Sequence, residues 1–474
     1  MQSNLTPMDL LRTPSLLGAW RETPAPLYAA LASALQGLVL RGELLPGDRL
    51  PTERAFAQAL ALSRTTVVAA YARLAADGWV TTRQGQGTTV SCGPPGHIAP
   101  AKRRAQVGNP ALRHSRVGDA KAWIDFSLAT AVPDLAWLTP SEHSRNLMLR
   151  ENAYQAEGML ALRQRIAARY SAQGLATNPE QILVCSGAQQ AISLVAQQYL
   201  RPGDSVLLED PNYFGAIDVF RASGARLIAV PVRPHAAHAQ SFVEALERLR
   251  PKLSYVCPGL HNPTGTSWSA SACARLGRAA ARSGGLLLID DSLAELHFGA
   301  RHAPLRLPAG AVGIHIGSLS KTLWAGLRIG WLRAPSPAIH EQLRRAKVCA
   351  DIASSSLSSA IACDLLDHLD ALIAPRRSSL QTQSQQLLQA LQQHLPNWRV
   401  SPPEGGLFLW CKLPPTGPRA PELVARAESV NVRLTPGNAL AVGQGGAGDD
   451  FIRLAFTQPA AMAVEGIRRL ATLA

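Results

Sequence analysis

Ser318-Leu319-Ser320-Lys321, with Arg328 seven residues on, joins one nucleophilic amine to three groups that bind phosphate by type. An amine so placed can couple to an aldehyde. Upstream, Asp290 closes the apolar run Leu286-Leu287-Leu288-Ile289 and can pair with a protonated ring nitrogen. His261-Asn262-Pro263-Thr264-Gly265 offers a side-chain amide, and Asp210-Pro211-Asn212-Tyr213 can lay an aromatic ring beside a flat ligand. Ser186-Gly187-Ala188-Gln189 opens a helical pattern, where free backbone N–H groups can hold a phosphate. Each piece alone reads as a turn or a surface residue. In this order they fit pyridoxal phosphate: an amine for its aldehyde, a carboxylate for its pyridinium, and a cup of N–H, hydroxyl and guanidinium groups for its phosphate.

Such residues need strand ends to converge. Apolar runs suited to buried strands fall at Ile182–Val184, Ser205–Leu208, Leu227–Val230, Tyr255–Cys257, Leu286–Ile289 and Gly313–Ile316. Helical patterns such as Ala188–Tyr199 and Ser269–Arg282 alternate with them. The alternation predicts a mainly parallel sheet covered by helices on both faces. Ligands in such sheets bind outside the carboxyl ends of the strands, where the candidate residues fall.

The first quarter of the chain carries a different pattern. Apolar residues recur at helical spacing from Leu27 to Leu40. Thr52 is placed to cap a helix running to about Leu60, and Ser63 to cap a second over Arg64–Ala76 with Val67, Ala70, Tyr71 and Leu74 inward. Two short helices across a tight turn predict a helix-turn-helix. Arg64, Thr65 and Thr66 then stand where recognition helices meet bases, and Arg54 lies on the helix before. Trp79–Thr82 and Thr88–Val90 read as a β-hairpin whose tip is Arg83-Gln84-Gly85-Gln86-Gly87. A small glycine tip suits entry into a groove, with Arg83, Gln86 and Gly87 at the nucleic acid. Residues 92–122 hold Pro94-Pro95-Gly96 and Lys102-Arg103-Arg104 without apolar periodicity, which predicts a flexible basic linker.

Bulk properties agree. The 474 residues favour more than one domain. Residues 1–122 hold fourteen Lys+Arg against seven Asp+Glu, half of the formal excess of +14 in about a quarter of the chain. That asymmetry suits a polyanion partner. The seven cysteines are scattered with no C-x-x-C pair, which predicts neither a metal site nor a disulfide framework and suits a reducing cytoplasm. No run of eighteen apolar residues occurs, so no membrane span is expected, and residues 1–25 read as a tail without a secretory leader.

Residues 26–91 resemble the winged helix of the GntR superfamily, and residues 123–474 resemble fold-type I aminotransferases of the aspartate aminotransferase class. The whole arrangement resembles the MocR subfamily of GntR regulators: a winged helix, mostly α with a β wing, followed by a large α/β effector domain. The resemblance implies Lys321 as the Schiff-base lysine, Asp290 on the pyridine nitrogen, Asn262 on the ring hydroxyl and Tyr213 flanking the ring. Gly187, Ala188, Gln189, Ser318, Ser320 and Arg328 would hold the phosphate. Arg453, in Phe451-Ile452-Arg453-Leu454, would clamp the carboxylate of an amino compound. The resemblance also implies a homodimer on paired DNA half-sites, in a bacterial cytoplasm at the nucleoid. One departure stands out. The family's tyrosine two or three residues after the pyridine aspartate is replaced by Ser292 and Leu293. Losing that phenol should leave the Schiff base with a less depressed pKa and favours sensing over turnover. The expected function is a regulator that senses pyridoxal phosphate, an amino compound, or both. The alternatives are a working aminotransferase with an appended DNA anchor, and a DNA reader with a vestigial cofactor site.

Overall fold

A computed structural model describes residues 17, 20–22, 25–40, 44–83, 87–91, 93–94, 123–129, 135–150, 154–232, 236–299, 302–443 and 448–473. The expected basic linker and N-terminal tail fall almost wholly outside these residues, as does the hairpin tip Gln84–Gln86 with its candidate Gln86. The chain divides into two compact units, Met1–Val107 and Gly108–Ala474.

In the first unit, helices α1 (Leu27–Leu40), α2 (Glu53–Ala59) and α3 (Arg64–Ala76) precede a hairpin of β1 (Val80–Arg83) and β2 (Gly87–Val90). Both expected caps form. Thr52 Oγ1 accepts the Ala55 N–H at 3.3 Å, and Ser63 Oγ accepts the Thr66 N–H at 3.1 Å. Each satisfies a backbone donor that a helix start leaves open. Val67, Ala70, Tyr71 and Leu74 are buried against Leu31, Leu35 and Phe56 in one apolar core. The hairpin register sets Val80 opposite Val90 and Arg83 opposite Gly87.

The second unit is built on a seven-stranded sheet. Its strands are β3 (Ile182–Cys185), β4 (Ser205–Asp210), β5 (Arg226–Pro231), β6 (Leu253–Val256), β7 (Leu286–Asp290), β8 (Val312–Ser318) and β9 (Gly330–Arg333). Their spatial order is β3-β9-β8-β7-β6-β4-β5. The pairs among β4–β8 are parallel, as expected, and β9 runs antiparallel between β3 and β8. Helices α4 (Ala188–Tyr199), α5 (Phe214–Ala222), α6 (Ala236–Leu249) and α7 (Ala270–Ser283) follow β3, β4, β5 and β6. Two separate apolar cores hold the sheet, one around Leu208, Phe220 and Tyr255 and the other around Leu207, Phe242 and Leu276. Neighbouring residues of β4 thus feed opposite faces, the period-2 rule of a strand buried on both sides. A one-turn helix α8 (Leu319–Thr322) ends β8. Beyond the long helix α9 (Leu369–His394) lies a four-stranded antiparallel sheet. It includes β10 (Phe408–Lys412), β11 (Thr435–Pro436) and β12 (Phe451–Ala455) and has its own core.

Candidate functional sites

In the first unit, Tyr71 joins the recognition helix to the loop that enters α2. Its hydroxyl donates to the Pro51 carbonyl at 2.9 Å inside the core, and burial raises its pKa, so it stays a neutral donor. Thr65 and Thr66 at the start of α3 share hydrogen bonds with Ser63 Oγ at 2.7 Å each. Arg64 is 71% exposed and its Nη2 lies 3.1 Å from Glu53 Oε2 on α2. An exposed pair of this kind adds little stability. It does bias the guanidinium toward one direction at the helix start, where a base edge would be met. Arg54 and Arg83 are exposed. Gly87 has φ +82°, a left-handed conformation that favours glycine at the hairpin turn. Arg49, absent from the sequence-derived candidates, bridges to Thr89 and lines one concavity with Arg83 and Gly87. Its position depends on the 48–50 segment running beside β2, with Leu50 N–H on the Thr88 carbonyl at 2.9 Å.

In the second unit, the carboxyl ends of the strands bring most of the candidates together. Gly187, with φ +90°, is the N-cap of α4 and supplies no side chain to its open N–H groups. A Cβ there would sit 3.3 Å from the Arg328 guanidinium, so only glycine leaves the cup open. Arg328 adopts a left-handed backbone, φ +53°, and its side chain reaches the Ser186 carbonyl. Ser318 Oγ caps α8 by accepting the Ser320 N–H at 3.1 Å. That cap already occupies the Ser318 hydroxyl. Ser320 Oγ is buried with no hydrogen-bond partner among the described residues. The Gln189 side chain is turned aside to the Gly215 carbonyl at 3.0 Å, so its contribution to an anion would be its backbone N–H.

Lys321 is the centre of a cationic cluster. Burial, with the charges of Arg453, Arg376 and Arg328, brings its amine down from 10.5 to about 8. Its Nζ donates to the Ala129 carbonyl at 3.0 Å. Asp290 is buried, and burial raises its pKa. The Tyr255 hydroxyl donates to its Oδ2 at 2.6 Å and the Ser292 N–H to its Oδ1 at 2.9 Å, both favouring the carboxylate. Tyr213 is pushed up to about 12 by burial, then by Asp290, with Arg453 and Arg328 opposing. Tyr213 thus feels Asp290, Arg453 and Arg328, and Lys321 feels Arg453, Arg376 and Arg328.

Arg453 is buried on β12, its guanidinium carbon 4.1 Å from the Phe408 ring centroid on β10. Its Nη2 donates to the Ser127 carbonyl at 2.9 Å, and its Nη1 to Asn262 Oδ1 at 3.3 Å. The Asn262 carbonyl oxygen is thereby engaged, which leaves its amide N–H group for a ring hydroxyl. Among the described residues the buried Arg453 Nε has no hydrogen-bond partner, and burial lowers the group to about 10. A buried cation whose partners among the described residues are neutral acceptors calls for an anion. Of the two positions where the family's tyrosine was expected, Ser292 gives its N–H to Asp290 and Leu293 is buried in the core with Leu296 and Leu260.

The donor set fits pyridoxal phosphate. A hydroxyl without a partner among the described residues, an open helix start, a guanidinium, a nucleophilic amine and a buried carboxylate follow or end neighbouring strands. Tyr255, Arg376 and Phe408 were not singled out in the sequence. Tyr255 read there only as part of a strand and Phe408 was not read at all, and the pairing of β6 with β7 and of β10 with β12 gives them a polar or cationic neighbour.

Comparison with known proteins gives the class. The family model described as "Aminotransferase class I and II" matches residues 143–472, and the chain belongs to that family. The model "Bacterial regulatory proteins, gntR family" matches residues 27–90. The chain is 34% identical to a 2-aminoadipate transaminase of Thermus thermophilus, over 64% of this chain and 77% of the relative. The crystal structure of an alpha-aminoadipate aminotransferase from the same organism aligns with a TM-score of 0.66 at 31% identity, covering 78% of this chain and 95% of the other. Regulators are among the relatives that span both units. TauR of Rhodobacter capsulatus is 29% identical over 91% of this chain and 93% of its own length. The probable rhizopine catabolism regulatory protein MocR of Rhizobium meliloti is 27% identical over 80% of each. The protein is therefore a DNA-binding regulator of the MocR type, a GntR reader joined to a pyridoxal phosphate fold.

Proposed function

We propose that the aminotransferase-like unit is a sensor, with pyridoxal phosphate held at Lys321 and an amino carboxylate at Arg453, and that occupancy of this site sets operator affinity. The observation that supports this most is a lysine, Lys321, set beside the cationic groups Arg453, Arg376 and Arg328 in a chain that also carries a DNA reader. When bound, the cofactor would supply an aldehyde to which amines couple and a ring that withdraws electrons. Lys321 would offer its free base, Asp290 would hold a proton at the ring nitrogen, and Asn262 would donate to the ring hydroxyl. Tyr213 would cover the ring. The Ala188 and Gln189 N–H groups, Ser320 and Arg328 would bind the phosphate, with Gly187 keeping the cup open and Ser318 holding the turn. Differential binding of an amino compound can shift operator affinity only if the two states of the protein bind it unequally.

The same reading assigns residues 1–25 to a tail, 26–91 to the DNA domain, 92–122 to a basic linker and 123–474 to the effector domain. It takes a homodimer in the bacterial cytoplasm as the active form. Among the described residues no helix is long and apolar enough to cross a membrane. Ser292 and Leu293, where the family's tyrosine is expected, support sensing over turnover. The Arg453 clamp and the transaminase relatives support the second reading, a working aminotransferase. The discriminating experiment pairs a gel shift with a turnover assay. Operator affinity that changes with cofactor and amine, without steady conversion of a keto acid, supports the sensor. Steady turnover with unchanged operator affinity supports the enzyme.

Two further outcomes are expected. Arg64→Ala should cost about 1–3 kcal/mol of operator binding, the worth of one bidentate base contact, and leave cofactor absorbance unchanged; equal affinities in a salt-controlled titration would remove Arg64 from the interface. The pH dependence of cofactor capture follows from the lysine. Only the free base reacts, so below about 8 each pH unit lost should slow capture about tenfold, with a plateau above. A stopped-flow rate still climbing at the pKa of an ordinary lysine would contradict the buried cationic cluster.

A further inference from the structure

Behind the space described above lies a buried polar cluster that none of the assigned roles uses. Glu209, near the end of β4, is completely buried. Its Oε1 accepts from His238 Nε2 on α6 at 2.8 Å and from Trp268 Nε1 at 3.1 Å, and its Oε2 accepts the Cys257 N–H at 2.9 Å. The other His238 nitrogen faces the Pro231 carbonyl at 3.3 Å. Both imidazole nitrogens thus have acceptors, which favours the charged ring and makes an internal ion pair. Burial works against both charges. For Glu209, His261, His238 and the Cys257 amide outweigh it and bring the carboxyl to about 2; for His238, the Glu209 contacts raise its pKa.

The position of Glu209 in the sheet gives it a purpose. Pairing of β4 with β6 covers Val206–Leu208 against Leu253–Tyr255, while pairing of β4 with β5 continues to Asp210 opposite Pro231. Just past Leu208, then, β6 leaves β4. A parted strand leaves a backbone N–H that must find an acceptor. Cys257 N–H finds the Glu209 side chain. Glu209 stands one residue before Asp210-Pro211-Asn212-Tyr213, and Cys257 stands five before Asn262. The Tyr213 side is also pinned: Val442 N–H donates to Asp210 Oδ1 at 2.9 Å, and Asn212 N–H to the Leu440 carbonyl at 2.8 Å. The Asn262 side closes on itself through Gly265 N–H on the His261 carbonyl at 2.8 Å. His261 Nε2 lies 3.8 Å from Glu209 Oε2.

We propose that Glu209, clamped by His238 and Trp268, is a positioning residue that fixes the spacing of the Tyr213 loop from the Asn262 loop and so the fit of the cofactor ring. This rests on the placement of the ring between those loops. Outer-shell partners of metal sites change affinity by about ten- to a hundredfold when altered, which sets the scale expected of a residue that orients loops around a ligand. The test compares full-length wild type with Glu209→Gln, His238→Gln and the double variant, using pyridoxal 5′-phosphate and pyridoxal as probes. Dissociation constants come from absorbance, and circular dichroism of the bound chromophore is read at saturation.

Glu209→Gln is expected to weaken both probes by one common factor, on the order of tenfold, and to alter the dichroism at saturation. General destabilisation would not change the spectrum of the saturated site. The double variant removes both charges while keeping a hydrogen bond, and is expected to recover part of the loss. Ser320→Ala, as a control, should weaken the phosphorylated probe and spare pyridoxal. If Glu209→Gln does not fold, His238→Gln alone must show the common loss and the altered dichroism. Wild-type affinity for pyridoxal with unchanged dichroism, or a loss confined to the phosphorylated probe, overturns the proposal. A wild type that binds neither probe overturns the cofactor placement instead, which is a separate failure.

Discussion

Replacing Lys321 with alanine is expected to abolish covalent capture of pyridoxal phosphate altogether. Borohydride reduction of the loaded wild type should leave a stable adduct on the peptide that carries Lys321, and none on the variant. The reason is local. Lys321 is an amine held near pH 8 by burial and by Arg453, Arg376 and Arg328. The other basic groups attributed to this space are guanidiniums, which do not deprotonate in proteins. Ser320, Arg328 and the start of α4 remain in the variant, so weak non-covalent retention of the phosphorylated cofactor should persist and be lost with pyridoxal. An adduct of undiminished yield on Lys321→Ala would show that another amine does the work.

The second large effect is expected at Arg453. Arg453→Leu should weaken an amino carboxylate by about 2–5 kcal/mol, the cost of removing one partner of a buried charge pair, or roughly thirtyfold and upward. Cofactor absorbance should survive, because the phosphate cup and the Lys321 amine remain, although loss of the Arg453 charge lets the lysine pKa rise. The measurement is a spectral titration with a panel of amino acids beside the matching amines that lack a carboxylate. Wild type should prefer the carboxylates and Arg453→Leu should not. A preference that persists in the variant would assign carboxylate recognition elsewhere, with Arg376 the next guanidinium to test.

Much of this was legible in the chain because local chemistry marks it. Ser63 before Arg64 and Thr52 before Glu53 are caps in sequence and in structure, so α2 and α3 start where expected. The central strands were legible because a parallel sheet buried on both faces writes continuous apolar runs. Gly330–Arg333 was not anticipated as a strand. It follows the left-handed turn at Arg328 and takes its place only by pairing antiparallel with β3 and β8. The sheet that carries Arg453 was equally hidden, since Phe408 and Thr435 meet that arginine across strand pairs widely separated in sequence. Tyr255 and Glu209 show the same limit. A phenol in an apolar run and a carboxylate at a strand end carry no local sign that one holds Asp290 and the other bridges a strand parting. Ser186-Gly187-Ala188-Gln189 is the converse, read in the sequence as a helix start, and α4 does begin at Ala188 with Gly187 as its N-cap.

Control of the DNA reader by the cofactor site is read from operator affinity of the full-length protein, at fixed salt, with and without saturating pyridoxal phosphate, for wild type and Lys321→Ala on promoter DNA adjoining its own gene. Wild-type affinity should shift with the cofactor, and the Lys321→Ala response should be lost. Identical wild-type binding curves in the two conditions, with and without a candidate amine, would contradict such control.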